Sequence, residues 1–317
     1  MKLHHLRNVV AIVERGSLRA AAKHLGLAQP AMSRSIKELE QELGVILFER
    51  GKFGMMLTSV GEIFVRRAKG MQVEFQRTLD EIEQFKGKDL GVITVAFSAA
   101  GHIALLPAII GPFRRRFPNI RIKVVEGTFP MLETDIRDGI IDLYYGPVAK
   151  DFVDPALYVQ LLFENGRIIV ARRDHPLRHA TTLEELVGAS WVTTPVAIDS
   201  DGEVNSVFQA AGLPVPHIAM LASSSMSLIT IISSSDLLAP LPQQWLEFIE
   251  ATHFIEHLNI REVPNAPRIC AVRRANMPLT PAAEFLNDLA LRAAAIHAQR
   301  RLANDFVSPH KASIPTR

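Results

Sequence analysis

The apolar positions of the first sixteen residues, Leu3, Leu6, Val10 and Val13, recur at three and four residues, the period of one helix face. A shorter helix follows from Ser17, whose hydroxyl suits an N-cap, with Leu18, Ala21, Ala22 and Leu25 on one side. Gly26 ends it, because glycine takes the left-handed conformation that closes a helix without strain. Pro30 opens the next helix, on which Met32, Ile36, Leu39 and Leu43 form an apolar stripe. Gln29, Ser33, Arg34 and Lys37 fall off that stripe, so a polar face is left over. The stretch 17–37 therefore reads as a helix-turn-helix. Gln and Arg can bond base edges bidentately, while Ser, Lys and helix-start amides can hold phosphates. A plain solvated helix hairpin would show the same spacing.

Two short apolar segments around a glycine-rich turn follow from Gly44 to Thr58 and predict a β-hairpin wing with Arg50 and Lys52 near its tip. Ser59-Val-Gly-Glu62 fits a capping box. Behind it Phe64, Ala68, Met71, Phe75, Leu79, Ile82 and Phe85 repeat at three and four residues. That predicts one long helix whose seam needs a partner surface, and a second copy of itself is the simplest one. Gly87 and Gly91 mark a hinge.

From Val92 onward the period changes. Strands are expected at 92–97, 120–126 and 141–145, with helices at 102–117 and 131–139 between them. A second set follows, with strands near 167–171, 191–194, 217–221 and 236–240 and helices near 183–187, 202–211 and 226–233. Alternation of this kind implies right-handed βαβ units and parallel sheets in two α/β lobes. Extended runs near 261–273 and a helix at 281–297 complete the pattern.

Composition narrows the class. A chain of 317 residues with 48% hydrophobic content is long enough for more than one packed core. No run of eighteen apolar residues exists and the amino terminus opens on a patterned helix rather than a signal segment, so a cytoplasmic protein without a membrane span is expected. The one cysteine, Cys270, lies in an apolar strand-like run and reads as a small buried residue. The net charge of +2 hides an asymmetry. Residues 1–70 hold 12 Lys or Arg against 6 Glu, whereas residues 89–298 hold 16 basic against 22 acidic side chains. A basic head that neutralises phosphates and an acidic body fit this balance.

The residues G-S-L-R-A-A-A-x-x-L-x-x-x-Q-P-A-x-S-R-x-I from Gly16, then L-E-x-E-L-G-V-x-L-F-E-R from Leu39 and L-T-x-x-G from Leu57, resemble the LysR-type transcriptional regulators of bacteria. The resemblance implies an overall α/β protein: a winged helix-turn-helix DNA-binding domain over 1–58, a linker and dimerisation helix over 59–88, and a two-lobed effector-binding domain over 89–298 that resembles periplasmic binding proteins. Lobe I would take 91–162 and 266–298, and lobe II 163–265. The crossover back to lobe I is carried by the resemblance alone. The resemblance also implies binding of a double-stranded DNA operator through Gln29, Pro30, Ser33, Arg34 and Lys37, with Arg50 and Lys52 at the wing. Dimers through the linker helix, tetramers, contact with RNA polymerase and control by a small-molecule effector complete what it implies.

In sheet folds of this type ligands bind at the carboxyl ends of strands, where helix-start amides converge. The corresponding loops supply Ser98, Ala99, Thr128, Phe129, Gly146, Pro147, Thr193, Thr194, Ser223 and Ser224 as candidate effector contacts. Their small and hydroxyl-bearing character suits a small organic anion, with Phe129 as an apolar wall. Ser98 and Ser223 could equally be helix caps, and Thr193 a plain strand residue.

Three departures from the family pattern stand out. Ala28 replaces a hydroxyl residue commonly found before the Gln-Pro pair, Ser233-Ser-Ser-Asp236 replaces a glycine-rich segment, and the tail 299–317, with Arg300, Arg301, Lys311 and Arg317, reads as disordered. Enzymatic motifs are absent: no Gly-x-Ser-x-Gly elbow, Walker loop or His-Glu-x-x-His occurs, and no cofactor is expected. His253 and His257 lack a third metal ligand, and Asp199-Ser-Asp201-Gly-Glu203 lacks the remaining ligands of a calcium loop. The alternative to a regulator is a solute-binding module without DNA-regulatory activity.

Overall fold

The computed structural model describes residues 1–51, 54–194, 202–246, 248–249, 253–264 and 266–307, with the backbone alone at 50, 51, 54 and 301–307. The chain divides into two compact units, one built on Met1–Gly91 and one beginning at Val92.

In the first unit three helices, α1 (Leu3–Arg15), α2 (Leu18–Leu25) and α3 (Gln29–Leu43), precede a hairpin of β1 (Phe48–Gly51) and β2 (Gly54–Leu57) and the long α4 (Ser59–Phe85). Ser17 caps α2 by accepting the Ala20 N–H at 3.1 Å, and Gly26 closes it at φ +67°. The core gathers Val9, Ile12, Ala21, Ala22, Met32, Ile36, Leu39 and Leu47. Leu3 and Leu43, placed on the apolar stripes by their spacing, are 46% and 39% exposed because they lie at the helix ends, beyond that core. The Glu40 carboxylate accepts the N–H groups of Leu47 and Phe48 at 2.8 and 3.1 Å, tying α3 to the start of the hairpin.

The cap of α4 is Thr58 rather than Ser59. Its hydroxyl accepts the Gly61 N–H at 3.0 Å and donates to the Ile46 carbonyl at 2.7 Å, so one side chain caps the helix and holds the strand before it. The seam of α4 divides along its length. Val65 and Ala68 are buried and Phe64 is half-buried, packed against α1 residues such as Leu6 and Val10. Met71, Phe75, Leu79, Ile82 and Phe85 continue the same period but stay exposed.

In the second unit the first lobe is a five-stranded sheet in the order β4-β3-β5-β12-β6, from β3 (Val92–Phe97), β4 (Arg121–Glu126), β5 (Leu143–Pro147), β6 (Leu157–Phe163) and β12 (Ile269–Arg274). Here β3 runs parallel to β4 and β5, while β12 is antiparallel to both β5 and β6. The sheet is mixed, not parallel throughout, because its last inner strand arrives from the far end of the chain. Helices α5 (Ala99–Arg116) and α6 (Phe129–Arg137) follow β3 and β4. The final helix α9 (Pro281–Val307) packs on α5, with Phe285 5.6 Å from Phe117, so the chain does cross back to this lobe. It also runs through positions 299–307, which composition had assigned to a disordered tail. Positions 308–317 lie outside the described residues.

The second lobe centres on β7 (Arg167–Arg172), flanked antiparallel by β10 (Ala239–Pro242) and β11 (Ile255–Leu258). A parallel pair of β8 (Ser190–Thr193) and β9 (His217–Leu221) joins through a Trp191 to Leu238 bridge, with α7 (Gly202–Ala210) and α8 (Ser225–Ser233). This lobe too is mixed rather than parallel. The expected helix at 183–187 is a single 3-10 turn, Glu184–Leu186. Trp191 anchors the core, fully buried and edge-on to Phe208.

Candidate DNA-reading face and ligand cleft

The polar face of α3 is held outward by what lies behind it. Met32, Ile36 and Leu39 are buried, and the Asn8 amide donates to the Ser35 hydroxyl at 2.8 Å, pinning α3 to α1 from inside. Spacing did not reveal that contact, because Ser35 looks like any other polar helix residue. Gln29, Pro30, Arg34 and Lys37 are exposed and Ser33 is half-buried. Ala28 stands at the N-cap with extended backbone and no side-chain hydrogen bond, leaving the start of α3 uncapped. None of the ion pairs among the described residues involves Arg34 or Lys37. This arrangement can offer donors to an outside anion and side chains to a base edge. The wing forms as expected, with Arg50 opposite Met55 in the backbone ladder, but the Arg50 side chain and Lys52 lie outside the described residues.

A cleft opens between the two lobes of the second unit, with a cavity volume of about 100 Å³. Of the candidate effector contacts, Ser98, Ala99, Thr128, Pro147, Thr194, Ser223 and Ser224 line it. Three do not. Phe129 is buried against Phe152 and Tyr144, with ring centroids 4.7 and 5.8 Å away, so it belongs to the core of lobe I. Gly146 sits behind the wall, where a Cβ would collide with the Tyr144 hydroxyl and Ser98. Thr193 is a buried strand residue whose carbonyl accepts the Ala222 N–H. Apolar lining comes instead from Met131, Leu228 and Trp245.

Three helix starts meet at this cleft. Ser98 caps α5 through the Gly101 N–H, with Ala99 and Ala100 on the lining. Thr128 precedes α6, its carbonyl accepting from Met131 and Leu132. Ser224 caps α8 through the Ser227 N–H at 3.2 Å. The reading of the loops missed two charged lining residues, Glu126 and Arg167, because each falls at a strand end rather than in a loop. Arg167 is almost wholly buried and forks onto Glu203, Nε to Oε2 at 3.1 Å and Nη2 to Oε1 at 2.7 Å. Glu126 reaches across the cleft: its Oε1 accepts both the N–H and the hydroxyl of Ser225, at 2.8 and 2.5 Å. Behind the lining, His102 rests on Phe97 with Nδ1 3.2 Å from the Ser98 carbonyl, and burial holds its pKa below the ordinary value.

Other candidate chemistry is thin. Among the described residues no group of three His, Cys, Asp or Glu could hold a metal ion. Burial raises the pKa of the Cys270 thiol, which makes it a poor nucleophile. No described helix is long and apolar enough to cross a membrane.

A helix-turn-helix with a wing, joined through a long helix to a two-lobed α/β module, is the architecture of a DNA-binding regulator. Family models agree over most of the chain: residues 3–62 match the bacterial regulatory helix-turn-helix proteins of the lysR family, and residues 86–295 match the LysR substrate binding domain. The chain belongs to the LysR family of transcriptional regulators, which are not enzymes. Among its relatives, the HTH-type transcriptional regulator TdcA of Escherichia coli is 25% identical over 300 residues, spanning 95% of this chain and 96% of TdcA. The HTH-type transcriptional regulator GbpR of Azospirillum brasilense is 28% identical over 240 residues, 74% of this chain and 70% of GbpR. The crystal structure of CbnR, a LysR family transcriptional regulator, superposes with a TM-score of 0.69 at 20% identity, covering 93% of this chain and 99% of CbnR. CbnR in complex with its target DNA gives 0.67, again at 20% identity, over 92% of this chain and 100% of that one.

Proposed function

We propose that this regulator reads an operator with α3 and is switched by a small organic acid held between the lobes of its effector domain. The observation that carries the reading is one cleft lined from both lobes on which the starts of α5 and α6 converge. Such ends attract negative charge, and hydroxyls at Ser98, Thr128, Thr194, Ser223 and Ser224 can complete the contacts. Ala99 and Pro147 supply close-fitting walls. Phe129, Gly146 and Thr193 take structural roles instead.

On the DNA side Gln29, Ser33 and Arg34 are assigned to base edges and phosphates of a double-stranded operator, Lys37 and the wing cations Arg50 and Lys52 to the backbone. Pro30 presets the first turn of α3. Domain limits follow as 1–58 for DNA binding, 59–88 for the linker and 89–298 for the effector domain, with lobe I at 91–162 and 266–298 and lobe II at 163–265. The exposed apolar half of α4 is assigned to dimerisation, and pairs of dimers to a tetramer. The protein would act in the cytoplasm, where ligand closure of the cleft changes the spacing of paired DNA heads and contact with RNA polymerase.

A thermal-shift screen of the full-length chain tests the effector reading. Small organic acids should raise the melting temperature in a saturable way. Stabilisation by neutral sugars or metal cations, with none from any acid, would overturn it.

A further inference from the structure

The cleft is not uniformly positive. Arg167, the cation among the described residues of its lining, is already matched charge for charge by the two-pronged Glu203 carboxylate and has little surface left for a ligand. Glu126 lies on the lobe I wall, yet its carboxylate occupies the start of α8 in lobe II, taking the Ser225 N–H and hydroxyl. The helix end that would draw an anion on that side is thus occupied by the protein's own anion. The start of α5 is left for a ligand carboxylate, at Ala99 and Ala100. One pole of the described cleft therefore favours negative charge and the other, at Glu126, favours positive charge. Both poles line the same cleft, whose volume is about 100 Å³.

We infer that Glu126 is the specificity-determining residue of this cleft, selecting a small amino acid, with a carboxylate toward α5 and a protonated amine toward Glu126, over the organic acid lacking the amine. The inference rests on the cleft being the effector site. A plain acid brings only the charge that Glu126 repels, whereas a zwitterion gains an attraction at the same place. The carboxylate also fastens lobe I to lobe II, so a ligand amine that shares it joins the lobes through the ligand as well.

Matched pairs differing by the amine alone test this on the full-length chain: alanine against propionate, and aspartate against succinate, titrated by calorimetry and thermal shift. Wild type should bind the amino member of each pair up to about fivefold tighter, the factor that ~1 kcal/mol of interaction with the exposed Glu126 carboxylate supplies. Glu126→Gln keeps an oxygen for the Ser225 N–H while removing the charge, and it should erase or reverse that preference. Equal or tighter binding of the plain acid by wild type, no change of ratio in Glu126→Gln, or no binding of any of the four probes would overturn the inference. Ala99→Trp separates the two failures, because it obstructs the cleft. If binding of a probe survives unchanged in Ala99→Trp with a native circular dichroism spectrum, the cleft itself is not the site. If binding is lost in Ala99→Trp while Glu126→Gln leaves the ratio untouched, the cleft reading stands and the role of Glu126 falls.

Discussion

The amino ends of α3 and α8 are finished in opposite ways. α3 begins at Ala28 with no side chain on its first turn. α8 begins at Ser224, which caps the Ser227 N–H, while Glu126 from the other lobe takes the Ser225 N–H. An unfinished helix start costs about 1 kcal/mol of stability but leaves backbone donors for an outside anion; a finished one is self-contained and closed to it. The contrast separates a helix end suited to meeting phosphates from one whose charge is already fixed before any ligand arrives.

The comparison breaks most severely if α3 is not held by the core behind it. Met32 is fully buried there, so Met32→Ala should cost about 3 kcal/mol through lost burial and the cavity left behind, read as a lower urea midpoint. A loss under about 1 kcal/mol would mean that α3 is not seated as described. Cap substitutions should be smaller and opposite in sign at the two helices. Ser224→Ala should destabilise by about 1 kcal/mol and Ala28→Ser should stabilise by up to about the same amount, both measured by thermal unfolding. Equal signs would remove the contrast. The weakest lever is pH. Burial holds His102 below its ordinary pKa, so between pH 6.5 and that lowered value the unfolded chain binds a proton that the folded chain refuses. Stability is therefore full above about pH 6.5 and declines as pH falls below it. His5, also lowered by burial, contributes in the same direction. His102→Gln should flatten, without abolishing, the decline seen between pH 7.5 and 5.5; an unchanged slope would remove His102 from the account.

Local features were legible in the sequence and distant ones were not. The Ser17 cap and the Gly26 stop are settled within a turn of chain, and both stand where the residues indicated. The cap of α4 slipped by one residue because Thr58 and Ser59 are equally good caps on paper. Thr58 wins by also bonding the Ile46 carbonyl, twelve residues back. β6 escaped notice because, as an edge strand, it exposes Tyr158 and Leu161 and breaks the buried pattern. Phe129 was misplaced since an aromatic after a glycine loop reads the same whether it turns toward a ligand or into Phe152. The link of Glu126 to Ser225 joins positions 99 apart, and no local pattern encodes it. The seam of α4 shows the same limit: one unbroken period covers a half packed against α1 and a half left exposed.

The central claim, that α3 reads DNA sequence and does not merely hold phosphates, is tested most directly by comparing the full-length chain with Arg34→Ala on two DNAs. One is the region upstream of its own gene and the other a scrambled duplex of equal length, each titrated by fluorescence anisotropy over a range of salt. Wild type should bind the upstream DNA at least about a thousandfold tighter than the scrambled one. Arg34→Ala should lose about 1–3 kcal/mol on the upstream DNA and far less on the scrambled one. Equal losses on both, with the salt slope reduced by about one, would make Arg34 a phosphate contact and contradict the claim.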